Sequence, residues 1–195
     1  RGHHVTATAT TAARLGLLAQ LGAAGVVMDG LDAASVGEAV ATARPEVIVH
    51  QMTAISVAHA GKPDMKHMDR WFASTNRLRT EALEILIAAA EAAGARRFLA
   101  QSFAGWPFAR TGGAVTTETD PLGTDPPPGF AETLSAIRFL ETRVTGLAAM
   151  TGLVLRYGGY YGPGTGIAPN GALVGALKRR RLPIIGTGGG VWSFI

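Results

Sequence analysis

Short apolar runs alternate with amphipathic stretches along the whole chain. Val5-Thr6-Ala7-Thr8-Ala9-Thr10 alternates with period two, the pattern of a half-buried strand. Residues 11–21 read as a helical stretch, and Gly25-Val26-Val27-Met28 as a short strand that ends at Asp29-Gly30. Asp32 is a candidate N-cap for a helix over Ser35–Ala43, whose Val36, Ala39, Val40 and Ala43 recur at helical spacing. Pro45 stops that helix, and Glu46-Val47-Ile48-Val49-His50 follows as a buried strand. A polar loop over 51–70 leads to a long helix, Asp69–Ala93, with Leu78, Leu83, Leu86 and Ile87 as core candidates and Gly94 as its C′ residue. The strand Arg97–Ser102 comes next.

The second half is richer in loops. Residues 104–129 hold Gly105, Pro107, Gly112-Gly113, Pro121, Gly123 and Pro126-Pro127-Pro128, a length that inside a compact domain marks a functional or disordered segment. A helix over Ala131–Leu147, a strand over Gly152–Arg156, a loop over 158–169 and a helix over Gly171–Arg181 complete the alternation. Gly186-Thr187-Gly188-Gly189-Gly190 then reads as a turn before the β-like Val191-Trp192-Ser193-Phe194-Ile195. No internal repeat occurs. Strands alternating with helices predict an α/β fold with a parallel sheet and right-handed crossovers. Strands that turn polar at their C-terminal ends place the site at that edge of the sheet. A strand pattern at each terminus, with nothing flanking it, predicts a fragment.

Composition narrows the chemistry. The chain has 195 residues, enough for one good core, with 47% hydrophobic and 16% charged residues. It has no cysteine, which excludes disulfides, thiolate metal sites and cysteine nucleophiles. The apolar runs are too short for a membrane helix and no basic-then-apolar leader opens the chain, so a soluble cytoplasmic protein with no membrane partner is expected. Net charge is +4, and the one basic cluster is Lys178-Arg179-Arg180-Arg181. Without aromatic interleaving or a second basic stripe it reads as the solvated last turn of a helix rather than a nucleic-acid site. His50 has no partner at ligand spacing, and His3, His4, His59 and His67 are scattered; a packed strand-end histidine and no metal site are expected.

The order of these signals resembles an extended short-chain dehydrogenase/reductase of the NAD-dependent epimerase/dehydratase family, over nearly the whole chain. Val27-Met28-Asp29-Gly30-Leu31 is similar to the strand end whose acid contacts the adenine. Pro45-Glu46-Val47-Ile48-Val49-His50 resembles the family's fourth strand, and Asn76-Arg77-Leu78-Arg79-Thr80 its N-x-x-x-T helix. Arg97–Ser102 resembles the strand that carries the catalytic serine, and Arg156-Tyr157-Gly158-Gly159-Tyr160-Tyr161-Gly162-Pro163-Gly164 the cofactor and substrate loop after the sixth strand. Ile185-Gly186-Thr187-Gly188 with Trp192-Ser193-Phe194-Ile195 resembles a later segment of the same family.

The resemblance implies a Rossmann-like, doubly wound parallel sheet with helices on both faces. Its first strand and glycine-rich phosphate loop would lie before Arg1. Residues 1–157 would form an incomplete dinucleotide-binding domain and 158–195 the start of a substrate-binding region. Arg14, Asp29, Gly30, Leu31, Gln51, Met52, Thr53, Asn76, Tyr157 and Gly158 are the implied cofactor contacts, and Trp106, Tyr160 and Tyr161 the implied substrate contacts. Ser102 and Thr133 are the implied catalytic positions. At the end of the second strand of the family, where an acid selects NAD, this chain has Ala9, followed by Thr10, Thr11 and Arg14; this favours NADP over NAD.

One departure bears on chemistry. Aligned on Glu141, Thr133 stands where the family has its acid/base tyrosine and Ile137 where it has its lysine, and no other Tyr or Lys lies between Trp106 and Ala149. Threonine does not ionise near neutral pH, and isoleucine carries no charge. Two readings follow. The first is an NAD(P)-dependent oxidoreductase or epimerase with an altered site, acting on a carbonyl, hydroxyl or nucleotide-sugar-type small molecule. The second is a non-catalytic NAD(P)-binding sensor or scaffold. A flavodoxin-like binding domain unrelated to dinucleotides is a third. A homodimer through the helices 69–93 and 131–147 is implied by the resemblance alone. Tyr157, Tyr160 and Tyr161, all three of the chain's tyrosines, cluster in one loop and offer a substitute acid/base.

Overall fold

The structure, a computed structural model, describes residues 2–55, 61, 67–109, 115–182 and 194. The chain runs β1 (Thr6–Ala9), a 3-10 turn (Ala12–Arg14), α1 (Leu15–Gln20), β2 (Ala24–Val27), α2 (Ala33–Ala43), β3 (Val47–His50), α3 (Met68–Ala92), β4 (Arg97–Phe103), α4 (Ala131–Thr145), β5 (Thr151–Tyr157) and α5 (Ala172–Lys178). This is the α/β alternation read from the hydrophobic pattern. The run Gly186–Gly190 and most of 191–195 lie outside the described residues, as do Gly112, Gly113 and His59; Phe194 makes a parallel bridge to Gly159.

Local chemistry sets the element ends. Asp32 accepts from the backbone N–H groups of Ala34 and Ser35 at 2.9 and 3.3 Å, an N-cap worth about 1 kcal/mol. Arg44 ends α2 in the left-handed region at φ 43°, immediately before Pro45. Gly94, at φ 72°, follows α3 where a side chain would be strained. The last helix is shorter than its sequence pattern, ending at Lys178. Arg180 turns left-handed at φ 54°, and the Arg179 guanidinium donates to the Gly175 carbonyl at 3.0 Å, so part of the basic cluster terminates the helix instead of extending it.

The strands form two parallel sheets, β1-β2 and β3-β4-β5. Thr6 to Ala9 register with Ala24 to Val27, and Val47 to His50 with Arg97 to Ala100. A doubly wound sheet has strand order 3-2-1-4-5-6. In that numbering the five strands are 2, 3, 4, 5 and 6, and the central strand that would join the two sheets is not among the described elements.

Residues 1–101 and 127–154 make one compact unit, and 102–126 with 155–195 a second. The core of the first unit collects Val36 and Val40 of α2, Ile48 of β3, Leu83, Leu86 and Ile87 of α3, Phe98 of β4 and Leu140 and Val144 of α4. Phe98 is wholly buried, which stabilises the fold by roughly 1.5–3 kcal/mol. On the other face of β3 and β5, Val47, Val49 and Leu153 are 41, 51 and 46% exposed, unlike the doubly covered face usual for parallel strands. Among the described residues, no helix is long and apolar enough to cross a membrane.

Two glycines test this packing. A Cβ on Gly152 would collide with the Val144 carbonyl of α4, whereas one on Gly37 in α2 meets nothing within 4 Å. Urea denaturation is expected to show Gly152→Ala losing about 1–3 kcal/mol or more and Gly37→Ala gaining up to about 1 kcal/mol. Equal midpoints for the two variants would contradict the α4–β5 contact.

Candidate functional site

The carboxyl ends of the strands in the first unit hold a set of tied loops. Asp29, after β2, accepts the Leu31 N–H at 3.0 Å, and its own N–H donates to Ser35 Oγ at 3.1 Å. Gly30 is buried, and a Cβ there would lie 2.6 Å from Met52 Sδ, so the Met52 side chain from the loop after β3 packs directly on the backbone after β2. The loop after β3 is pinned to α3 by the buried Thr75 hydroxyl, which accepts the Ala54 N–H at 3.0 Å. Gln51 and Thr53 are exposed in that loop, and Arg14 is exposed after β1. The residues expected to flank the adenosine half of a dinucleotide thus lie at the strand ends of one unit, and a buried Gly30 beside an exposed Asp29 fits that group. No G-x-x-G-x-x-G occurs in the 195 residues to hold the diphosphate.

His50 is a packed histidine, as its isolation in the sequence implied. Its Nε2 is 3.1 Å from the Leu78 carbonyl, and its Nδ1 is 3.4 Å from the Met52 N–H. The neutral Nε2–H tautomer satisfies both. Burial, reinforced by the nearby Arg79 charge and opposed by the Leu78 bond, lowers its pKa from 6.5 to about 4. Among the described residues no group of three or more His, Asp or Glu could hold a metal.

Thr133 and Asn76 meet in a hydrogen-bond network that the sequence did not foretell. The Thr133 hydroxyl donates to Asp69 Oδ1 at 3.3 Å and accepts from Asn76 Nδ2 at 3.2 Å. Asp69 Oδ1 also accepts the Thr133 N–H at 3.3 Å, so the first turn of α3 caps the first turn of α4. Arg79 Nη1 reaches Asn76 Oδ1 at 3.4 Å. Thr133 and Ile137 are both buried. Asp69, Thr75 and Arg79 were not singled out in the sequence. The signal for Arg79 was available, because it interrupts an apolar stripe.

In the second unit, Ser102 is buried near the end of β4. The loops after β4 and β5 are joined there by the Ala104 N–H to the Tyr157 carbonyl at 2.8 Å. They carry aromatic pairs, Phe103 with Trp106 (centroids 6.5 Å apart) and Tyr157 with Tyr160 (5.8 Å). Arg156 lies over Phe108 at 5.0 Å and donates to the carbonyls of Glu118 and Asp120. Tyr160 and Tyr161 are 49 and 64% exposed. Burial and the neighbouring Tyr157 push the Tyr160 hydroxyl above its ordinary pKa, the wrong direction for an acid/base working near neutral pH.

Solved structures share this architecture. The chain superposes with a TM-score of 0.67 on the dTDP-glucose 4,6-dehydratase DesIV of Streptomyces venezuelae, at 19% identity, covering all of this chain and 59% of that one. With the UDP-glucose 4-epimerase of Thermotoga maritima the values are 0.65, 21%, 100% and 62%. The fold is that of the NAD-dependent epimerase/dehydratases. WbmG of Bordetella bronchiseptica, solved in complex with NAD, gives a TM-score of 0.62 at 20% identity, over 93% of this chain and 54% of that one. In sequence, a 3-diazoavenalumate denitrifying reductase from a Streptomyces species is 44% identical over 196 residues. That match covers 100% of this chain, which spans 60% of the relative's length. No protein-family model matches the chain.

The His50 environment makes a prediction. A histidine whose folded pKa is lowered contributes stability that is present above its unfolded value of 6.5 and is lost as pH falls towards about 4. The shift corresponds to roughly 3 kcal/mol at most. Stability measured by urea titration is expected to fall over this window, and His50→Gln is expected to flatten that limb. An unchanged pH profile in the variant would contradict it.

Proposed function

We propose that this chain belongs to an NAD(P)-dependent reductase whose substrate is a diazo-substituted aromatic carboxylate. The observation that carries this reading is the Thr133 site. The hydroxyl that replaces the usual acid/base tyrosine has its one proton directed at Asp69 and accepts from Asn76, and Ile137 brings no charge. Epimerisation or dehydration of a sugar requires a group that takes a proton from a hydroxyl as hydride leaves. A cationic diazo group needs no such partner, since hydride addition neutralises it without leaving an alkoxide to protonate. The name of the 44%-identical relative supports the same class.

A bound reduced nicotinamide would supply the hydride. Asp29, Gly30 and Leu31 would hold the adenine end, with Gln51, Met52 and Thr53 beside them, and Asn76, Tyr157 and Gly158 would serve the nicotinamide end. Arg14, exposed and basic, with Ala9 in place of an acid, supports NADPH as the reductant, while the solved neighbour WbmG was crystallised with NAD. Ser102 would donate to the substrate, and the half-buried Trp106 with the exposed Tyr160 and Tyr161 would wall a flat ring. A homodimer through α3 and α4 belongs to this reading; Phe139, 40% exposed on α4, supports it.

The complete protein mixed with NADPH and benzenediazonium is expected to oxidise the cofactor and release dinitrogen above the uncatalysed rate, faster than with NADH. UDP-glucose should give no change. Turnover of UDP-glucose, with none of benzenediazonium, would overturn the reading. Thr133→Val should lower kcat by less than about tenfold, because the factor of roughly 10²–10⁴ typical of general acid–base catalysis is not in use. Loss of a hundredfold or more would restore an acid/base role to the hydroxyl.

A further inference from the structure

The face of α3 that covers the sheet carries one charge. At 3.6 residues per turn, Thr75, Arg79, Ala82 and Leu86 fall within an arc of about 60°, and Thr75, Ala82 and Leu86 are buried. Arg79 therefore occupies the middle of a stripe otherwise filled by small and apolar side chains. Its guanidinium carbon lies 6.0 Å from the centre of the Phe72 ring, and its Nη1 donates to the Asn76 amide oxygen. Among the described residues no carboxylate pairs with it. Burial holds its pKa down to about 10. Arg79 is half-buried. A ring face and an amide oxygen orient a guanidinium but do not neutralise it, and a charge partly withdrawn from water is favoured by a counter-charge.

We infer that Arg79 is the counter-charge for an anionic group of a ligand, a carboxylate or a phosphate, that enters beside Asn76 and Phe72. The position is right for one. His50, the last residue of β3, bonds the carbonyl of Leu78, so Arg79 lies level with the carboxyl end of that strand, where ligands of open parallel sheets bind. The planar guanidinium fork matches both anions in two-point contact. Phe130 lies 6.1 Å from Phe72 and sets a second ring beside it, which suits a carboxylate attached to a flat conjugated system. The choice of a substrate carboxylate over a cofactor phosphate rests on the reductase reading. The anion role of Arg79 does not.

Binding to the complete protein separates these without turnover. Cinnamate and its neutral amide, cinnamamide, probe the carboxylate, and ADP probes the phosphate, each by calorimetric titration of wild type, Arg79→Met and Arg79→Lys. Wild type should bind cinnamate more tightly than cinnamamide. Arg79→Met should weaken cinnamate about 30-fold or more while leaving cinnamamide and ADP within about twofold, and Arg79→Lys should recover part of the loss. Selective weakening of ADP instead would support the anion role with a phosphate as its source. Equal binding of acid and amide by wild type, together with ADP affinity unchanged in Arg79→Lys, would overturn the inference even if Arg79→Met fails to fold. Absence of diazonium reduction would sink the proposed reaction and leave these affinities fully informative.

Discussion

The packing of α3 is the constraint on which the rest of the structure depends. This single helix of 25 residues must seal the core with its C-terminal half and wall the site with its N-terminal half. Leu83, Leu86, Ile87 and Ala90 bury their side chains in the core shared with Ile48 and Phe98. Asp69, Asn76 and Arg79 lie on the first three turns, where the helix passes the carboxyl ends of the strands. Because core packing holds the helix in register, the polar residues inherit positions they could not hold by themselves. A site on such an element is more rigid than one on loops.

The network at the α3–α4 contact surrounds Thr133, the position at which the resemblance would place an acid/base. Asp69 joins the backbone and hydroxyl of Thr133, Asn76 joins that hydroxyl to Arg79, and an ion pair from Arg143 to Glu84 at 2.7 Å ties the same helices further along. That ion pair is half-exposed and worth little in stability. The inner network matters more, because buried polar groups must be satisfied together or cost stability. Its cationic end is the exception, and the proposed ligand site follows from it. The charge in this network comes from Asp69 and Arg79 of α3.

Much of the architecture was legible before any coordinates. Asp32 as a cap, Pro45 as a stop, Gly94 beyond α3 and the apolar sets at 36, 39 and 40 and at 83, 86 and 87 all rest on local rules, and local rules held there. The last helix was over-extended because a run of four basic residues has good helix propensity and gives no warning that Arg180 turns left-handed. The candidate site was legible in part. Thr133 could be placed by alignment and Asn76 by its helix motif, though not their contact, and His50 could be read as a packed residue from its isolation. Asp69 and Thr75 could not be found, because their roles depend on contacts spanning 64 and 21 residues. Arg79 was readable in principle as a charge within an apolar stripe, but a stripe becomes a buried face only once a sheet lies against it.

The sequence by itself determined the order of strands and helices, the parallel fold class and the absence of any Tyr or Lys between Trp106 and Ala149. These follow from periodicity, capping and residue identity, all properties of short segments. Only the tertiary structure decided that the five described strands form two sheets, that the Thr133 proton points at Asp69 and that Arg79 is half-buried without a carboxylate among the described residues. Each of those depends on which atoms from distant segments come within a few ångströms, and hydrogen bonding and desolvation act only at that range.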